Sequence, residues 1–117
     1  MATLYKGNSA IRQLRITERV RKLEKDIEQK LKKLVIKQGG IALKLTSPGN
    51  AGMPDRLILF PGGRVIFVET KAPGKGLRPL QVLRFKQLQD LGFKVFKIDS
   101  MESIGELIDN EVKNQIR

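Results

Sequence analysis

The sequence contains no histidine and no cysteine among its 117 residues. Without histidine there is no imidazole general base, no Ser–His–Asp triad and no His-ligated zinc centre. Without cysteine there is no disulfide framework and no thiolate nucleophile, which suits a reducing compartment. No apolar run reaches the ~18 residues that cross a bilayer. The N-terminus lacks the apolar h-region of a secretory signal, so secretion is not expected. Acidic residues are also in short supply. There are 12 Asp+Glu against 23 Lys+Arg, a net charge of +11. Such an excess points to a polyanionic partner, most often nucleic acid. Any hydrolytic chemistry on this chain must rest on carboxylates, lysine and an oxygen-liganded metal.

What is present is an ordinary quantity of core. Hydrophobic residues make up 40% of the chain, enough for one modest domain. Residues 1–18 are polar and basic with weak periodicity, and read as an arm or short helix ahead of a single domain over 19–117. Val20, Leu23, Ile27, Leu31, Leu34 and Val35 recur at helical spacing, which predicts a helix from about Thr17 to Lys37, stopped by Gly39-Gly40. "IALKL" (41–45) alternates as a strand, and "TSPGNAGMP" (46–54) is a loop. Strands follow at about 55–60 and 64–70, then the loop "APGKGLRP" (72–79). A helix is expected over 80–91, with Leu80, Leu83, Leu88 and Leu91 on its apolar face. "FKVFKI" (93–98) is a last strand, and Ser100 is placed to cap a final helix from Met101. The order is α-β-β-β-α-β-α, an α/β domain.

The central hairpin carries the chemistry. If Pro61-Gly62-Gly63 forms a three-residue loop, Phe60 faces Arg64, and counting back along both strands sets Asp55 opposite Glu69. A four-residue loop would send the two carboxylates to opposite faces. Lys71, two residues beyond Glu69, shares its face if the strand continues. Opposed carboxylates repel by up to ~1 kcal/mol, a cost that a divalent cation between them would offset. Mg²⁺ takes one or two carboxylates and keeps water on its other positions. Alternation sends the Thr70 side chain to the other face, so only its backbone carbonyl is expected to serve the metal.

Pro54-Asp55 followed by Glu69-Thr70-Lys71 is similar to the PD-(D/E)xK nuclease pattern. The surrounding segments, Gly39-Gly40, "LKLTSPGNAGMPDRLILFPGGRVIFVETKAPG" (43–74), "LRPLQ" (77–81) and "LGFKV" (91–95), closely resemble the VRR-NUC (virus-type replication–repair nuclease) family over about residues 20–109. The resemblance implies a compact restriction-endonuclease-like core with a mixed sheet flanked by helices. It implies Asp55 and Glu69 as metal ligands, Lys71 as the catalytic lysine, and an acid from the first helix. Glu28 is the choice for that acid and Glu24 the runner-up, since helical spacing stacks the two on one face. Gln81 matches the family glutamine at the start of the next helix. Lys44, Arg56, Lys75 and Arg78 are candidate phosphate contacts. The implied activity is Mg²⁺-dependent DNA endonuclease action, with Mn²⁺ able to substitute and with 5′-phosphate and 3′-hydroxyl products. Compact relatives imply a homodimer that acts on branched DNA such as a four-way (Holliday) junction, in the cytoplasm of a bacterial or phage-infected cell. The alternative is a non-catalytic basic DNA- or RNA-binding module.

Overall fold

The computed structural model describes the backbone of residues 2–116 and the side chains of 9–113. Its elements are α1 (Ala2–Lys37), β1 (Ile41–Lys44), β2 (Arg56–Phe60), β3 (Arg64–Thr70), α2 (Pro79–Asp90), β4 (Lys94–Ile98) and α3 (Met101–Ile116). The expected order is the observed one. The sheet runs β1-β2-β3-β4. The first two pairings are antiparallel and β3 pairs β4 in parallel, so α2 is the crossover between them.

The first core lies on the face covered by α1 and α3. Ile27, Leu31 and Val35 of α1 pack with Ile58, Phe60, Ile66, Val68 and Ile98 of the sheet and with Ile104, Leu107 and Ile108 of α3. The opposite face carries a smaller core. There Phe85 and Leu88 of α2 meet Val95, with Met53, Phe67 and Leu77 around them. Alternation along β3 explains the split: Ile66 and Val68 face one way, Phe67 the other.

Two expectations about helices are corrected. Helix α1 starts far upstream of Thr17. Nothing between Asn8 and Lys37 is a proline or glycine that would stop it. The face of α2 is also narrower than its leucines suggested. Leu80, Leu83 and Leu91 are exposed, and burial falls on Phe85 and Leu88.

The exit from α1 is specified by its two glycines. Gly39 has φ +81°, a left-handed conformation that ends the helix. Gly40 sits where a Cβ would lie 2.6 Å from the Leu59 carbonyl oxygen, so β1 can dock beside β2 only through a residue without a side chain. At the other end of the fold, Ser100 Oγ accepts the Ser103 N–H at 3.0 Å and caps α3 as expected.

Candidate active site

The hairpin register sets the site. Phe60 pairs with Arg64, and Arg56 with Val68, so the loop has three residues and the next position back is Asp55 beside Glu69. Pairing persists past the strand ends. Leu45 N–H donates to the Asp55 carbonyl at 2.8 Å, and Lys71 N–H to the Ile98 carbonyl at 2.9 Å. Lys71 therefore stays in strand-like alternation with Glu69. Its Nζ lies 3.5 Å from Glu69 Oε2, with the side chains only 8% and 9% exposed respectively. Burial holds the Glu69 carboxyl above its ordinary range. The nearby Asp55 charge raises it further, against the lowering effect of Lys71 and of the Asp55 backbone.

The site wraps around the end of the sheet instead of lying on one face. Glu69 and Lys71 occupy the face that carries α2. Thr70 points to the α1 face, as expected, but its side chain does not stand apart from the site. Its hydroxyl donates to Asp55 Oδ2 at 2.5 Å, and its N–H donates to Asp55 Oδ1 at 2.9 Å. The same hydroxyl lies 3.4 Å from Glu28 Oε1. This corrects the expectation that only the Thr70 carbonyl would matter. Asp55 stands just before β2, at the open end of the sheet, and its carboxylate is held by Thr70.

Glu28 reaches this cluster because α1 buries its neighbour Ile27 in the first core and so turns the next position toward β2 and β3. Glu28 Oε2 accepts a bond from Arg56 Nη2 at 3.0 Å. Glu24, one turn away, makes no hydrogen bond or ion pair among the described residues. The Glu28–Arg56 pair corrects the reading of Arg56 as a phosphate contact: its side chain is 12% exposed and committed to a carboxylate. Lys44, Lys75 and Arg78 are exposed and have no carboxylate partner among the described residues. Gln81 has a local role, its Oε1 accepting the Arg78 N–H at 2.9 Å as a cap on α2. It makes no hydrogen bond to the carboxylates among the described residues.

One pair was missed by the sequence reading. Lys97 lies beside Glu69 in the parallel β3–β4 register. Its Nζ is 3.4 Å from Asp99 Oδ2. The alternation of "FKVFKI" contained this signal, but only once the strand's neighbour was known.

The donor set suits a hard cation. Asp55 and Glu69 supply carboxylate oxygens that repel one another, and a divalent ion would relieve that repulsion. Among the described residues no group of three or more acidic side chains is gathered at metal-binding distance. Glu28 joins the other acids through Thr70 and not by direct approach.

No protein-family model matches the chain. A protein of Acyrthosiphon pisum secondary endosymbiont phage 1, described as "Putative nuclease p44", is 47% identical over 79 residues, which make up 68% of this chain and 85% of that one. A solved structure described as "VRR_NUC domain" aligns with a TM-score of 0.71 at 28% identity, covering 74% of this chain and 95% of its own.

Proposed function

Because the chain belongs to the VRR-NUC family, we propose that it is a metal-dependent DNA endonuclease. The observation that carries this reading is the buried Glu69–Lys71 pair beside Asp55 at the open end of the hairpin. Asp55 and Glu69 would hold a divalent cation, Mg²⁺ or Mn²⁺, with the Thr70 carbonyl beside them and Glu28 at the edge of the site. The bound ion would supply Lewis acidity toward a phosphodiester and lower the pKa of a coordinated water. Lys71 would hold its ammonium against the negative charge that develops on the phosphate oxygens. Thr70 keeps the Asp55 carboxylate oriented through two hydrogen bonds. Arg56 neutralises Glu28 and limits acid–acid repulsion at the site. Lys44, Lys75 and Arg78 would contact backbone phosphates and fix the strand's register without reading bases.

The preferred substrate is a branched DNA such as a four-way junction, and the acting species is a homodimer. A single site of this size cuts one strand, and a two-fold pair of sites would cut two opposed strands. Purified protein incubated with linear, flap and four-way-junction DNA, in Mg²⁺, Mn²⁺ or EDTA, tests this reading. Paired junction cuts that vanish in EDTA are expected. Binding without cleavage in either metal would reassign the protein as a DNA-binding module. Equal cleavage of linear duplex would remove the junction preference.

A further inference from the structure

Helix α1 is far longer than its role in the core requires. At 1.5 Å per residue its 36 residues span about 54 Å. Among the described residues of α1, buried side chains run from Ile27 to Val35. Residues 9–19 are all exposed. The molecule measures 66 × 31 × 21 Å, the long dimension being that of a projecting helix.

The exposed part is patterned. Arg12, Arg15 and Arg19 fall within about 60° of one another around the helix. They line one shallow cleft together with Ile11 and Ile16. Arg15, Glu18, Arg19 and Lys22 line the next. The pattern returns five turns later as Lys30, Lys33 and Lys37, all exposed. Asp26 is the one acid in the row. None of the six repeated cations is paired with a carboxylate among the described residues. From Arg12 to Lys37 the ridge covers about 38 Å, the axial rise of roughly eleven base pairs of duplex DNA. It is turned some 160° around the helix from Glu28. The ridge and the acids therefore occupy opposite flanks of one helix.

We propose that this ridge is a second DNA-binding surface, an anchor for backbone phosphates outside the stretch being cut. The charge complementarity is to duplex DNA, whose two backbones present about one negative charge per 1.7 Å of axis to a rod of cations lying across them. The ridge sets affinity and leaves chemistry to the sheet end. The inference rests on the nuclease reading only for its substrate, so its test is made without metal.

The experiment measures binding of a 30-base-pair duplex by fluorescence anisotropy in EDTA across a salt series. The full-length chain is compared with Arg12→Gln/Arg15→Gln/Arg19→Gln and with Arg21→Gln/Lys25→Gln/Lys32→Gln. Both triples lower the charge equally and keep good helix formers. The ridge triple should flatten the log–log salt slope by about 2.7, at roughly 0.9 per phosphate contact, and the second triple by less than about 0.9. Arg12→Lys/Arg15→Lys/Arg19→Lys should retain the wild-type slope, and circular dichroism should show all the variants helical. In Mg²⁺ the ridge triple should raise KM at unchanged kcat. Equal losses from both triples would reduce the ridge to a share of net charge and overturn the proposal. So would an unchanged slope, or a shift in sedimentation without a change in DNA binding, which would assign the face to a second copy. Wild-type protein that binds with the expected slope yet cleaves nothing in either metal would remove the nuclease reading and leave the ridge standing.

Discussion

The two ends of the sheet both hold a buried carboxylate, and they treat it differently. At the hairpin-loop end, Glu111 of α3 is 2% exposed. Arg64 binds both its carboxylate and its carbonyl, and Lys94 Nζ lies 3.1 Å from its Oε1. Arg64 also sits 5.0 Å above the Phe60 ring. One acid thus has two cations. At the open end, Glu69 has a single lysine and a second acid for company, and its proton affinity is raised. The first arrangement fastens α3 to β3 and β4. The second leaves a buried carboxylate with one cation and a second acid beside it. Under the proposed function, a bound cation would offset that imbalance.

The comparison is broken most severely by removing members of the open end. Asp55→Ala, Glu69→Ala and Lys71→Ala should each lower Mg²⁺-dependent cleavage about a thousandfold, equivalent to ~4 kcal/mol of barrier. Melting curves should stay cooperative. A Lys71→Ala enzyme that cuts at the wild-type rate would refute its role. The opposite end should respond in the opposite way. Arg64→Ala leaves the buried Glu111 carboxylate with Lys94 alone and should cost about 3 kcal/mol in urea unfolding, with kcat unchanged in the fraction that remains folded.

A subtler break separates the two helix acids. Glu28→Ala should reduce cleavage by roughly tenfold to a hundredfold, or ~1.4–2.7 kcal/mol. Glu24→Ala should change it less than twofold, because only Glu28 touches Arg56 and Thr70. Equal losses would show that helix position, and not this contact, is what counts.

The smallest effect is on pH dependence. Glu69 binds its proton more tightly folded than unfolded, so stability from that proton is complete below the ordinary carboxylate value of 4.5. It is lost as pH rises through the folded-state value. In EDTA, wild type should therefore lose stability relative to Glu69→Gln on going up through that window, by at most ~1.4 kcal/mol per pH unit. Mg²⁺ at ten times its Kd should restore about 1.4 kcal/mol to wild type at neutral pH and nothing to Asp55→Ala. A pH difference of the opposite sign would refute the under-compensated carboxylate.

The fold was largely legible because its signals are local. The hairpin register followed from a three-residue loop, and the end of α1 from Gly39-Gly40. The upstream extent of α1 was hidden because residues 9–19 bury nothing, so no apolar stripe announces them. Leu83 and Leu91 misled because helical spacing says which residues share a face, not how much sheet lies beneath it. At the site, Asp55, Glu69 and Lys71 were readable as a pleat pattern. The Thr70 hydroxyl was not, because a side chain at the end of a sheet can reach around its edge. Arg56 looked like a phosphate contact because its partner, Glu28, is 28 residues away in the chain.

Strand order that follows chain order also dictates an order of assembly. The Asp55–Thr70 contact joins residues only 15 apart. Glu28 reaches Thr70 across 42 residues, and Arg64 reaches Glu111 across 47. Closing the shorter loop costs about 1 kcal/mol less chain entropy than closing either longer one. The β2–β3 hairpin is therefore the expected nucleus, with high φ values at Ile58 and Ile66 and low ones at Glu111. The repelling carboxylates meet early, on the element least dependent on the rest of the chain. The clamp at Glu111 arrives late and acts chiefly by slowing unfolding.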